Sequence, residues 1–162
     1  MEGTQHELFM REALKEAEKA RELDEVPIGA VVVRDGEIIG RGHNLRESTR
    51  NATMHAEMVA IQKANEQLAN WRLEECDLYV TVEPCVMCGG AIIWSRMRTV
   101  YFGAHDPKGG AAGSLLNVLE DDRFNHTATV YSGLLAEESQ RLLKDFFREL
   151  RKRKKKKNGE AV

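Results

Sequence analysis

The sequence predicts an α/β protein, a three-layer α/β/α sandwich around a mixed, roughly five-stranded sheet. Three observations carry this. Short β-branched runs alternate with helical stretches along the whole chain, the pattern of a sheet covered on both faces. The first two strands are joined by the tight turn Asp35-Gly36, so they pair antiparallel, whereas the later strands are separated by helices and can run parallel. Neither an internal repeat nor an interdomain linker interrupts the 162 residues, a length suited to one domain with a substantial core.

The elements follow in order. Residues 6–23 place Leu8, Phe9, Ala13, Leu14, Ala17 and Ala20 at helical spacing. VPIGAVVVRDGEIIGRGHN reads as a hairpin, with Val31–Val33 going up and Ile38–Ile39 returning. The polar loop LRESTRNAT leads to a second helix from about Met54 to Ala69. DLYVTVE is a buried strand, Cys85–Trp94 a short helix and RTVYFGA another strand. After the glycine-rich loop HDPKGGAAGS, the pattern predicts a short helix, a strand around Ala128–Tyr131 and a closing helix from about Ala136. The folded domain is expected over 1–153, with 154–162 a basic, disordered tail.

Composition narrows the function. At 42% hydrophobic and 31% charged residues the chain is ordinary for a soluble globular protein. No apolar run approaches the roughly 18 residues of a membrane span, so no membrane partner is expected. The charged N-terminal stretch does not read as a secretory signal. Three cysteines, Cys76, Cys85 and Cys88, are too few for a disulfide framework and fit a reducing cytoplasm. Residues 148–157, RELRKRKKKK, hold eight of the 24 Lys and Arg but one of the 26 acids, so an acidic body ends in a basic block. Such a block suits a polyanion, or equally a solvated helix end.

The chemistry centres on EPCVMCGG. Cys85 and Cys88 share one face of a helix's first turn, where the helix dipole favours thiolates. A CxxC pair alone admits a metal, a redox couple or core packing. MHAEM, at another predicted helix start, adds His55 and Glu57. In a sheet of this kind such helix starts gather at the strand C-terminal ends. His55 with the two thiols makes three ligands and leaves a fourth position open, the arrangement of a catalytic zinc. Glu57 is expected over the bound water as the proton carrier rather than as a ligand. HxE followed about thirty positions later by PCxxC is the known signature of the zinc deaminases.

With these residues on the page, the chain resembles the bacterial tRNA-specific adenosine deaminases of the cytidine-deaminase-like superfamily. The resemblance runs from about Leu8 to about Arg153. It rests on PIGAVVV, HNLRE, His55-Ala56-Glu57, PCVMCGGAI, DPKGGAAGSL, FNH at Phe124–His126 and DFFRELR. The last three segments look like the tRNA branch rather than free-nucleoside enzymes. One departure is visible: family members carry Pro-Thr-Ala before the histidine, whereas this chain has Asn51-Ala52-Thr53-Met54.

The resemblance implies conversion of the wobble adenosine of an arginine tRNA anticodon to inosine, one Zn2+ per subunit, and a homodimer gripping the anticodon stem-loop. It implies that Asn44 contacts the flipped nucleoside. By position, Ile28 and Gly29 line the base pocket, and Thr53 is expected there or as a helix cap. Asp106 is expected to accept a ribose 2′-OH and so favour RNA over DNA, or else to cap its own glycine loop. Lys108, Phe147 and Arg148 are expected to supply phosphate contacts and stacking, with Arg151 and Lys152 beside them. Competing readings are a free-base deaminase, a noncatalytic zinc module that binds RNA, and a redox protein.

Overall fold

The computed structural model describes residues 2–160. In chain order it comprises α1 (Glu2–Glu22), β1 (Gly29–Arg34), β2 (Glu37–His43), α2 (Arg46–Thr49), α3 (Ala56–Leu68), β3 (Cys76–Val82), α4 (Val86–Trp94), β4 (Thr99–Ala104), β5 (Thr129–Tyr131) and α5 (Ala136–Glu160). The five strands form one sheet in the order β2-β1-β3-β4-β5. β1 is antiparallel to both β2 and β3, while β3, β4 and β5 are parallel, so the sheet is mixed as expected.

The hairpin turn holds Asp35 at φ 50° and Gly36 at φ 77°, the left-handed pair that a two-residue turn between twisted strands requires. Alternation along the strands then sorts side chains to two faces. Ala30, Val32, Leu78, Val80, Val100 and Phe102 pack with Ala56, Ala60, Ala64 and Ile92 of α3 and α4. On the other face Val31, Val33 and Tyr79 meet Met10 and Ala13 of α1, with Leu134 and Leu135 completing the cluster at the entry to α5. With both faces covered, β3 is buried at six of its seven positions, which is why it reads as a nearly continuous apolar run.

One packing contact positions the site. Gly40 and Gly42 of β2 lie directly under α3: a Cβ at Gly42 would fall 2.4 Å from Ala56 O and 2.6 Å from Ala60 N. The small residues Ala56, Ala60 and Ala64, one turn apart, complete this close approach. The helix therefore rests on the strand backbone, and its first turn is fixed at the end of β2.

Three expectations need correction. No helix follows the glycine-rich loop. The chain instead makes turns and a bridge between Ala112 and Asn117. The N–H groups of Leu115, Leu116 and Val118 turn back to the Gly110 and Ala111 carbonyls and that of Arg123 to Asp121, while the Glu83 carboxylate holds those of Ala112 and Ser114 within the loop; such bonds compete with helix. The loop before α3 contains a single helical turn, α2, and α3 itself begins at Ala56 rather than Met54. Finally, α5 continues through Lys154–Lys157 to Glu160 instead of dissolving after 153. Lysine is a good helix former, and cations near a helix C-terminus complement its dipole. The tail's last two residues, 161–162, lie outside the described residues.

Candidate metal centre and active site

His55 and Cys85 are the N-cap residues of α3 and α4, both extended, with ψ of 156° and 179°. Neither side chain caps its own helix, so each is free to turn toward the other. His55 Nδ1 lies 3.6 Å from Cys85 Sγ and 3.6 Å from Cys88 Sγ. All three donor atoms fall within 4.8 Å of one another, the one such group among the described residues. Zinc–sulfur and zinc–nitrogen bonds of about 2.3 and 2.05 Å at a tetrahedral angle separate the two donors by about 3.6 Å. The spacing and the imidazole–dithiol donor set thus fit zinc.

The electrostatics agree. The hydrogen bond from Cys88, against the cost of burial and with help from His55, holds the Cys85 thiol down at about 4. That charge raises His55 and, together with burial, pushes Cys88 strongly up. The imidazole and the two thiols thus shift one another's hold on their protons. A metal that replaces those protons takes both sulfurs as thiolates. Cys76 is different: it is fully buried, raised to about 11 by burial, and lies in β3 as a small core residue.

Glu57 is 4% exposed and sits in the first turn of α3. Burial pushes its carboxyl up to about 7, the Cys85 charge adds to this, and His55 opposes it. The carboxyl also touches Cys88. Two residues apart on a helix, His55 and Glu57 would diverge. They converge because His55 lies outside the helix, at its cap.

Asn44 is buried beside them, its Oδ1 accepting the N–H of Ala56 at 2.9 Å. Its own N–H donates to the Ile28 carbonyl at 3.2 Å, so half-buried Ile28 shares the site's edge, and the Gly29 N–H donates to Thr81. Thr53 is exposed, and its hydroxyl bonds Asn51 Oδ1 at 2.7 Å. It is not the cap of α3; that place belongs to His55.

Asp106 Oδ1 accepts the N–H groups of Lys108 and Gly109, both at 3.1 Å. The loop-capping alternative is therefore realised for this oxygen, and Lys108 itself is exposed. Phe146 is buried against the exposed Phe147, edge to face, and Arg148 pairs with Asp145. Both Phe147 and Arg148 ride on α5, in the layer opposite α3 and α4. α5 runs beside α1, with Glu149 against Arg21 and Arg153 against Asp24. Its basic end therefore reaches the segment joining α1 to β1, which also touches the loop before α3.

Sequence reasoning missed two buried carboxylates that hold the loops beside the site. Glu83 takes the N–H groups of Asp106, Ala112 and Ser114 at 3.0 Å each, together with the Ser114 hydroxyl. It thereby ties the strand leading to Cys85 to the glycine-rich loop. Glu25 does the same for the loop before His55. An acid directly following an apolar strand, as in VTVEPC, was the available signal for Glu83.

A mixed sheet with His55, Cys85, Cys88 and a buried glutamate at two adjoining helix starts defines a deaminase of the cytidine-deaminase-like fold. The MafB19-like deaminase family model matches residues 4–151. The tRNA-specific adenosine deaminase of Bacillus subtilis is 59% identical over 152 residues, covering 94% of both chains. A solved structure from work on A-to-I editing by tRNA:A34 deaminases is 48% identical, with TM-score 0.80 over 83% of this chain and 98% of that one. The guanine deaminase of Nitrosomonas europaea superposes with TM-score 0.76 at 27% identity, over 86% of this chain and 83% of that one. The chain belongs to the tRNA-specific adenosine deaminases.

Proposed function

We propose that the protein hydrolyses adenosine to inosine at the wobble position of an arginine tRNA anticodon, with ammonia leaving and a zinc-activated water as nucleophile. The observation that carries this is buried Glu57 beside the His55–Cys85–Cys88 trio, since metal binding alone needs no such carboxyl. The editing relative at 48% identity supports the wobble adenosine, and the family resemblance of the sequence supports the arginine tRNA.

His55, Cys85 and Cys88 would hold one zinc per subunit. When bound, zinc supplies a Lewis acid that lowers the pKa of water toward about 7. The rest falls to this chain. Deamination at C6 needs one proton taken from water and delivered to ring N1, where inosine keeps it, and a second taken from the hydroxyl added at C6 and delivered to the leaving amine. Glu57, lifted toward neutrality by burial, suits a carboxyl that must both accept and donate. Asn44 has no partner for its Nδ2 among the described residues, which leaves that donor for the flipped base, with Ile28 and Thr53 at the same edge.

Asp106 keeps Oδ2 for a ribose 2′-OH, while Lys108, Phe147 and Arg148 meet phosphate and base. The basic end of α5 adds the electrostatic grip that RNA binding needs. A second copy of the chain docks on the exposed apolar surface formed by Val86, Trp94 and Phe124, which are 59%, 71% and 53% exposed. These residues surround a cavity of about 190 Å3. Three free thiols suit the reducing cytoplasm.

The test incubates zinc-loaded protein with an arginine-tRNA anticodon stem-loop, its DNA counterpart, free adenosine and guanine. Inosine in the RNA alone is the expected result. Turnover of a free base without turnover of the RNA would overturn the reading in favour of a guanine-type enzyme.

A further inference from the structure

Between Asn44 and His55 the chain makes an excursion whose tip has no apolar anchor. Residues 46–53 are all exposed, and α2 buries none of its side chains. Its N-cap, Leu45, offers no side-chain acceptor to the helix's open N–H groups. At its base the excursion is closed by the Leu45 N–H bonded to Met54 O at 3.0 Å.

The missing acceptors come from elsewhere in the chain. Glu25, 1% exposed in the segment joining α1 to β1, reaches across. Its Oε1 accepts the N–H of Glu47 at 3.0 Å, and its Oε2 accepts both the N–H and the hydroxyl of Ser48 at 2.6 Å. Burial alone would raise this carboxyl, but the three donors outweigh it and hold it below its usual range. One buried carboxylate thus fixes an exposed loop that carries Arg46 and Arg50, with Asn44 before it and the donor His55 after it.

We infer that Glu25 is a positioning residue for the tRNA substrate: by clamping α2 it holds the 44–55 loop in the orientation that receives the anticodon. The inference rests on the tRNA deaminase reading. A loop ordered beforehand loses less freedom on binding, so it contributes to affinity for the RNA rather than to the chemical step. His55 and Cys85 cap α3 and α4, and the first turn of α3 has its own tie to Asn44, apart from the contacts of Glu25.

The experiment uses the full zinc-loaded chain and an adenosine-34 anticodon stem-loop, with kcat, KM, zinc content and Tm measured for wild type, Glu25→Gln, Ser48→Ala and the double variant. Glutamine keeps one acceptor but turns an NH2 group against backbone donors. Glu25→Gln is expected to raise KM about tenfold, in line with losing hydrogen bonds to a charged group. Its kcat should stay within about threefold of wild type and its zinc content should be unchanged. Ser48→Ala should raise KM less, and the double variant should be no worse than Glu25→Gln, because the loop is already released. A lowered Tm with unchanged KM, or KM effects that add in full, would overturn the assignment in favour of a purely structural carboxylate. Should Glu25→Gln not fold, an unchanged KM in Ser48→Ala has the same force. Absence of inosine with the wild-type chain would instead overturn the parent reading, and this assignment with it.

Discussion

Asn44 Oδ1 accepts the Ala56 N–H at 2.9 Å, so the residue just beyond β2 holds the first turn of the helix that presents His55 and Glu57. The Asn44 side-chain oxygen is committed to the protein, and the proposed function gives its Nδ2 to the substrate. Substitutions separate them. Asn44→Ala leaves a buried N–H without an acceptor, at a cost of about 1–3 kcal/mol, or a Tm lower by several degrees. Asn44→Asp keeps the acceptor and removes the donor. Thermal melts and inosine assays should show Asp with the better Tm of the two variants and both with severely reduced turnover. Full activity in Asn44→Asp would remove Nδ2 from the substrate contact.

Glu57 touches the donor trio without being needed for it. Glu57→Gln fills the same space and cannot carry a proton. Zinc content, measured on the purified protein, should match wild type, while the single-turnover rate on the stem-loop falls by at least about 10² to 10⁴. Loss of metal in this variant would instead make Glu57 part of the metal shell.

What the sequence revealed and what it hid divide by distance along the chain. The donors were legible because each pair is local: Cys85 and Cys88 on one helical turn, His55 and Glu57 at one helix start. The hairpin was legible because Asp35-Gly36 forms it alone. Glu25 and Glu83 were not, since their partners are backbone N–H groups 22 to 31 residues away, which no pattern of residue types records. The helix expected after the glycine-rich loop failed because its N–H groups bond back to the carbonyls of a loop that the distant Glu83 holds.

The Glu83 clamp leaves no room at Gly110, where a Cβ would sit 2.3 Å from the carboxyl carbon and one oxygen and 2.4 Å from the other. Gly110→Ala must displace either the loop or the carboxylate, so Tm should fall by several degrees and stem-loop turnover with it. Gly90, inside α4, has nothing within 4 Å of its would-be Cβ. Gly90→Ala should stabilise by about 0.5–1 kcal/mol through helix propensity. Equal Tm changes in the two variants would mean that Glu83 does not hold the loop as tightly as its hydrogen bonds indicate.

Glu16 pairs with Lys19 one turn along α1 at 2.9 Å and joins α1 to β2 through Arg41 at 3.2 Å and His43 at 3.1 Å. Burial would raise its carboxyl, yet these donors together hold it below 4.5. The unfolded chain therefore takes up this proton more readily than the folded one. The stabilisation is present in full above about pH 4.5 and is lost as pH falls through the lower folded value. Glu16→Gln removes the charge at every pH, so the variant should melt below wild type at pH 7. The gap should then narrow as pH drops from about 5 toward 3.5. Metal release in acid affects both proteins alike and leaves that difference intact. A gap in Tm that stays constant from pH 7 to 3.5 would show that the Glu16 charge contributes nothing to the junction of α1 and β2.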